Sequence, residues 1–191
     1  MNDIIQRAWR AATFDRSAFG DWLYSSTATG DAALIVIAVA LIQYVAALVV
    51  GEVRLANLIP GVISVAVSAL AGWVFLGLAT WFVGTRWFNG SGDMQVVLRM
   101  HGLAYLPNLV AAGLILLGGW GFIGSPIVVF VGMLALLWYL AAAIIGTSIG
   151  LSQSTRDGAL SVVVGMALLM LVSLLFSGLL TGIGSLFGAV F

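Results

Sequence analysis

The sequence predicts an all-α polytopic membrane protein, a bundle of five transmembrane helices behind an N-terminal amphipathic interfacial segment. Three observations predict it. Of the 191 residues 62% are hydrophobic and only 7% charged, against roughly 45–50% and about 25% in soluble chains. The few charges bracket long neutral runs: twenty residues between Asp31 and Glu52, thirty-one between Arg54 and Arg86, and thirty-four after Asp157. A helix needs ~20 apolar residues to cross ~30 Å of hydrocarbon, and spans are expected near residues 32–51, 58–84, 94–118, 126–150 and 159–181. The arginines, finally, fall almost entirely on one side of such a bundle.

The same composition excludes whole classes of function. Net charge is zero, so there is no electrostatic footprint for nucleic acid. The absence of cysteine and the single histidine leave no ligand set for a zinc-type site. No P-loop or dinucleotide fingerprint is present, so no cofactor is expected. No carboxylate lies inside a span, where ion-coupled transporters usually carry one.

Residues 1–31 form the interfacial segment. Seven charges in this stretch argue against a secretory signal peptide. Ile4, Ile5, Ala8, Trp9 and Ala12 recur at helical spacing beside Arg7 and Arg10, a pattern for a helix in the headgroup plane. Phe19, Trp22 and Tyr24 then alternate with charges, again as interface chemistry.

Residues 32–191 form the membrane domain. In the first span Gln43 is expected to face another helix, because an amide turned to lipid lacks hydrogen-bond partners. Pro60 suits the first turn of the second, where its missing N–H costs nothing. Ser64, Ser68 and Gly72 repeat every four residues along it, a stripe of small side chains that admits a close helix contact. Trp81, Phe82, Trp87 and Phe88 mark its exit as an aromatic belt.

The third element is the most informative stretch. Asn89, Gly90, Ser91 and Gly92 make a turn signal, and Asp93 or Ser91 can cap the following helix. Arg86 and Asp93 flank the turn at pairing distance in sequence. The helix begins amphipathic, with Gln95, Arg99 and His101 among apolar residues, and Arg99 is placed to reach the headgroups. Pro107 removes a backbone bond and bends the helix near Leu103, with Asn108 able to meet the freed carbonyls. This predicts a half-interfacial, half-inserted element hinged at Pro107. The fourth span carries Trp138 and Tyr139 at its middle as packing residues. The last run exceeds one span at ~1.5 Å per residue, so its end is expected to emerge on the outer surface.

Orientation follows from charge. With the N-terminus in the cytoplasm, Arg7, Arg10, Arg16, Arg86, Arg99 and Arg156 lie inside and only Arg54 outside. This is the positive-inside bias, and five spans put the C-terminus outside.

The run LATWFVGTRWFNGSGDMQVVLRMHGLAYLPNLV, the later run WYLAAAIIGTSIGLSQSTRDGALSVVVGMALLM and the N-terminal FDRSAFGDWL resemble the Yip family, the Ypt/Rab-interacting membrane proteins. The resemblance is one of spans and turns, covers most of the chain, and contains no catalytic signature. It implies five spans with a cytoplasmic N-terminus, as the arginines do independently. Eukaryotic members are implicated in vesicle trafficking and bind Rab GTPases through a cytosolic N-terminal region. About thirty residues are available for that role here, which argues against carrying Rab binding over. The likeness is to a compact prokaryotic member, placing the chain in a bacterial inner membrane.

Gly146, Thr147, Ser148, Ile149 and Gly150 match the nucleophile pattern G-x-S-x-G, but about 0.2 such matches arise by chance in this composition, and the strand-turn-helix context is missing. Gly146 with Gly150, and Gly178 with Gly182, read better as helix-contact faces. His101 reads as a structural polar group rather than a proton relay. No catalytic, cofactor-binding or metal residue is therefore assigned. The candidate contact residues are Arg86, Asp93, Arg99, His101, Pro107 and Asn108. The expected function is that of a scaffold or membrane-organising protein with the lipid bilayer, other membrane proteins or further copies of itself as partners. The alternative is a small channel, transporter or lipid-handling subunit using the break at Pro107 and Asn108 with Gln43, Thr80 and Thr147.

Overall fold

The computed structural model describes residues 2–23, 25, 27–54 and 58–188, with side chains described from 4 to 175 of these. Every regular element among them is helical. Two short helices, α1 (Asn2–Ala12) and α2 (Arg16–Leu23), precede the long α3 (Ala28–Val49) and α4 (Leu58–Trp87). Then come α5 (Met94–Leu103), a 3-10 turn (Leu106–Leu109), α6 (Val110–Gly119), α7 (Ser125–Gly150) and α8 (Thr155–Gly188).

By length and composition α3, α4, α7 and the Thr155–Leu175 part of α8 can each cross a membrane. α5 and α6 pass the same test jointly, bent by 41° at the 3-10 turn, so that the pair has the length and composition of a fifth, broken span or of a re-entrant loop. The break sits where Pro107 enters the 3-10 turn at its first positions, since proline cannot donate to the helix ladder. Beyond the expected last span near 159–181, α8 continues as helix to Gly188. At ~1.5 Å per residue its 34 residues outrun a bilayer as one continuous helix, and the sequence has no proline or charge there to end it. The remaining residues, 189–191, lie outside the described set.

The helix termini gather at two ends. Residues 23, 27–29, 84–93 and 147–158 meet at the near end, where the Ser91 N–H bonds the Leu151 carbonyl at 2.9 Å and Arg16 reaches Thr155 at 3.3 Å. At the far end Gly119 faces Val50, within 3 Å of a Cβ placed on it. The core lies toward the near end, built from Phe19, Trp22, Val36, Met100, Leu103 and Val162.

Small residues make that core possible. Gly102 lies against the Ala32 backbone, and a Cβ on Gly165 would meet the Thr80 Cα and N at 2.8 Å. On α4 the buried positions are Trp73, Gly77, Thr80, Val83 and Gly84. Gly77, Thr80 and Gly84 make the close contacts, with Leu98, Gly165 and Leu151 respectively. The expected stripe of Ser64, Ser68 and Gly72 is instead exposed, with no atom within 4 Å of a Cβ on Gly72. Both stripes have small residues at helical spacing, and only position relative to α8 and α5 distinguishes them.

The N-terminal helices lay one face on the bundle. Ala8, Ala11, Ala12, Ala18, Phe19 and Trp22 are all buried against it. The Trp138 indole donates to the Ala12 carbonyl, fixing α1 beside the break. Ile5 and Trp9 are the apolar side chains α1 leaves exposed. An elbow joins the two helices: Phe14 takes a left-handed φ of 65°, and the Asp15 carboxylate accepts from the Ser17 N–H and hydroxyl and from Arg10. These bonds, Ser17 first, hold the Asp15 pKa down to about 2.

Candidate functional site

The contact residues singled out by sequence divide between a surface cleft and a buried polar line beneath it. The cleft lies between two loops. In the first, Asn89 adopts φ 54°, and the next two N–H groups are occupied, Gly90 on the Gly84 carbonyl and Ser91 on that of Leu151, both at 2.9 Å. In the second, Ser152 adopts φ 52°, turning Gln153 inward. The Gln153 amide donates to the Gly84 and Phe88 carbonyls at 2.9 and 3.0 Å, and its carbonyl oxygen accepts from Ser161. The C-terminal carbonyls of a helix have no partner of their own, so this one side chain closes the end of α4 while clamping it to α8. Trp81 adds an indole bond to the Gly92 carbonyl at 2.9 Å.

The clamp encloses a cleft of about 430 Å³. Leu23, Val96 and Ile149 form apolar wall, Thr85, Ser91 and Ser152 bring hydroxyls, and Asp93 brings the one formal charge. Asp93 occupies the N-cap of α5 with extended backbone, yet its carboxylate caps none of the helix N–H groups. The ion pairs among the described residues join Arg10 to Asp15 and Asp21; Arg86 and Asp93 are exposed and do not pair. Asp93 belongs to the cleft lining.

Arg99 points away from open solvent. Its guanidinium donates to the Thr29 hydroxyl at 2.8 Å and the Leu23 carbonyl at 3.0 Å, tying α5 to the connection between α2 and α3. His101, two residues along, is fully buried. Its Nδ1 lies 2.9 Å from the Tyr139 hydroxyl, and its Nε2 lies 3.5 Å from that of Thr147. Tyr105 stands edge-on to the Tyr139 ring with centroids 5.9 Å apart. Tyr139 is thus a polar partner as well as a packing residue, which the sequence reading missed.

At the break, Asn108 donates to the Tyr105 carbonyl at 3.1 Å, and Gln43 donates to the Asn108 carbonyl at 2.7 Å. Pro107 is buried between them and α1. Backbone groups freed by a break inside the membrane need partners from protein, and these two amides supply them.

Gly146 and Gly150 face α5, with Met100 about 3 Å from a Cβ placed on either. Gly178 and Gly182 fall where side-chain surroundings lie outside the described residues. Ser148 donates to Ile145 of its own helix at 2.8 Å, while its neighbour Thr147 faces His101. Among the described residues no group of three His, Cys, Asp or Glu could hold a metal ion.

Comparison with known proteins adds no relative. No family model, curated protein or solved structure matches the chain. Chemically, the cleft offers hydroxyl and carboxylate acceptors on an apolar floor. The line below it offers a hydrogen-bonded core that fixes α5 against α7.

Two signals in the sequence could have found more of this site. Trp73, Gly77, Thr80 and Gly84 follow 4-3-4 spacing, the seam pattern of packed helices. Gln153, a lone amide in a short loop between two spans, is placed to accept and donate at helix ends.

Proposed function

We propose that this chain is a non-enzymatic integral membrane protein that organises membrane or recruits other membrane proteins through its near end, as the resemblance to the Yip family implies. The observation that supports it best is the two-loop clamp: four helices are braced so that Thr85, Ser91, Asp93 and Ser152 stand around one cleft. The hydrogen bonds from Gln153 and Ser91 hold the loops in one arrangement. Such preorganisation lowers the ordering cost of binding a partner. In this reading the near end faces the cytoplasm of a bacterial cell, because six of seven arginines belong to its segments and Arg54 alone to the far end. Rab-type GTPase binding is no part of the proposal.

Because the chain has no cysteine, single cysteines at Arg86, Ser91 or Ser152 give a direct test. Crosslinking in native membranes is expected to capture the same protein partners from all three positions, and controls at exposed far-end Ile59 and Val129 are expected to capture none of them. Identical crosslinks from both ends, or none at the near end, would sink the proposal.

A second reading, a lipid-handling or transporting subunit, has one supporting observation. A groove of about 250 Å³ beside the break is lined by Ser68, Gly72, Tyr105, Asn108, Leu136 and Tyr139. It lies between α4 and α7 at the level where their outer flanks are exposed. Reconstituted protein that moves labelled lipid in a manner abolished by Asn108→Leu would favour it.

A further inference from the structure

The geometry points to the near-end cleft as a binding site for a small ammonium group. It rests on the cleft as the working surface proposed above and names the chemistry of what enters. The balance of donors and acceptors in the cleft decides what it can hold. An anion needs a cation, or N–H groups clear of a carboxylate; no arginine lines the cleft, and the Gly92 and Asp93 N–H groups, which have no backbone partner, sit beside the Asp93 carboxylate. The Gly90 and Ser91 N–H groups are bonded to backbone carbonyls, and the Trp81 indole N–H is bonded to Gly92. None of the seven arginines lines the cleft. Arg99, the one whose contact Leu23 also lines it, is bonded to Thr29 and the Leu23 carbonyl.

Acceptors, by contrast, are in surplus. Thr85 donates its hydroxyl proton to the Trp81 carbonyl at 2.8 Å, leaving lone pairs for a ligand. Ser91 and Ser152 add hydroxyls, and Asp93 adds a carboxylate without an ion-pair partner among the described residues. The N-terminus of α5 contributes about half a positive charge at most, which a full carboxylate outweighs. Trp81 is held in place by its Gly92 bond and supplies an aromatic ring to the lining, the surface to which ammonium ions are attracted. A volume of about 430 Å³ is within the range for small-molecule sites.

An ammonium of this kind is carried by an aminophospholipid headgroup or by a free soluble amine, and both would meet the same groups. The full chain, purified in a neutral detergent, is titrated with short-chain phosphatidylethanolamine, with ethanolamine chloride, and with short-chain phosphatidylglycerol. Binding of at least one amine and not of phosphatidylglycerol is expected, weakened roughly tenfold by Asp93→Asn, as for loss of a charged hydrogen bond, and retained by Asp93→Glu. Asp93 is exposed, so these variants fold. Binding by phosphatidylethanolamine alone assigns a lipid source; binding by ethanolamine as well assigns the free amine. No amine binding to the parent chain, equal binding of phosphatidylglycerol, or an unchanged Asp93→Asn would overturn the proposal. Because the titration uses purified protein, its failure leaves the crosslinking result standing, and the reverse holds too.

Discussion

The near and far halves of this bundle are made of the same apolar residues and solve opposite problems. At the near end, α1, α2, α5 and the adjoining halves of α3, α4, α7 and α8 close on one another through alanine and glycine, and the buried polar side chains there are hydrogen-bonded except the Trp22 indole and the Thr80 hydroxyl. At the far end, Ile59, Ile63, Val67, Phe130, Met133 and Leu174 stand exposed, and only 11% of the most apolar window of α4 is buried. Lipid tails are as apolar as leucine, so exposed apolar side chains there carry no penalty and give helices no reason to close. Packing in this chain is therefore driven by shape and hydrogen bonds and confined to where small residues permit both. The difference teaches that hydrophobicity alone tells nothing about which half of a span is core.

The largest expected effect breaks the contrast at its tightest point. Gly165→Leu drives a side chain into the Thr80 backbone and is expected to cost about 3 kcal/mol, read as a lowered unfolding midpoint in detergent. Gly72→Leu, with open space around it, is expected to fall within about 0.5 kcal/mol of the parent. Equal losses at the two positions would erase the distinction between the halves. Next comes Tyr139→Phe, which leaves buried His101 without its 2.9 Å partner and is expected to cost about 2 kcal/mol. Gln43→Leu removes the amide that meets the Asn108 carbonyl, and a loss of about 1 kcal/mol is expected from measured interhelical bonds in membranes. Thr80→Val sharpens the comparison in the other direction. The Thr80 hydroxyl is buried without a hydrogen-bond partner, so its removal is expected to stabilise the chain by up to about 1 kcal/mol. A loss of stability there would show that the hydroxyl has a partner after all.

The smallest effect is at the elbow between α1 and α2. The Asp15 pKa is depressed from 3.8 to about 2, so its contribution is complete above the unfolded value and is lost as pH falls through about 2. Release of the N-terminal helices between pH 4 and 2, followed by protease access, is expected to disappear in Asp15→Asn. Any pH-dependent release near neutrality would need another group.

Much of the architecture was legible because membrane crossing imposes length, polarity and charge rules on every span. Pro107, Asn108 and Gln43 were readable for the same reason: a break or an amide inside a membrane must find partners within the protein. What stayed illegible was pairing. Ser64, Ser68 and Gly72 look like a contact face as much as Gly77, Thr80 and Gly84 do, and no local signal says which stripe meets α8. Phe19 and Trp22 read as interface aromatics because their burial depends on α7 and α5, more than seventy positions away in sequence. The cleft was invisible because its two walls, residues 85–96 and 149–152, lie far apart in sequence and come together through Gly150, Leu151 and Gln153.

The broken span also has a consequence for the order of events during synthesis. α5 is ten residues long, too short to cross alone, and carries Arg99 and His101. Arg99 finds its partners, Leu23 and Thr29, in chain already made. His101 must wait for Tyr139 and Thr147, which leave the ribosome later. The polar half of the third span is thus half-satisfied when it first meets the membrane, and its final seating is timed by the arrival of α7.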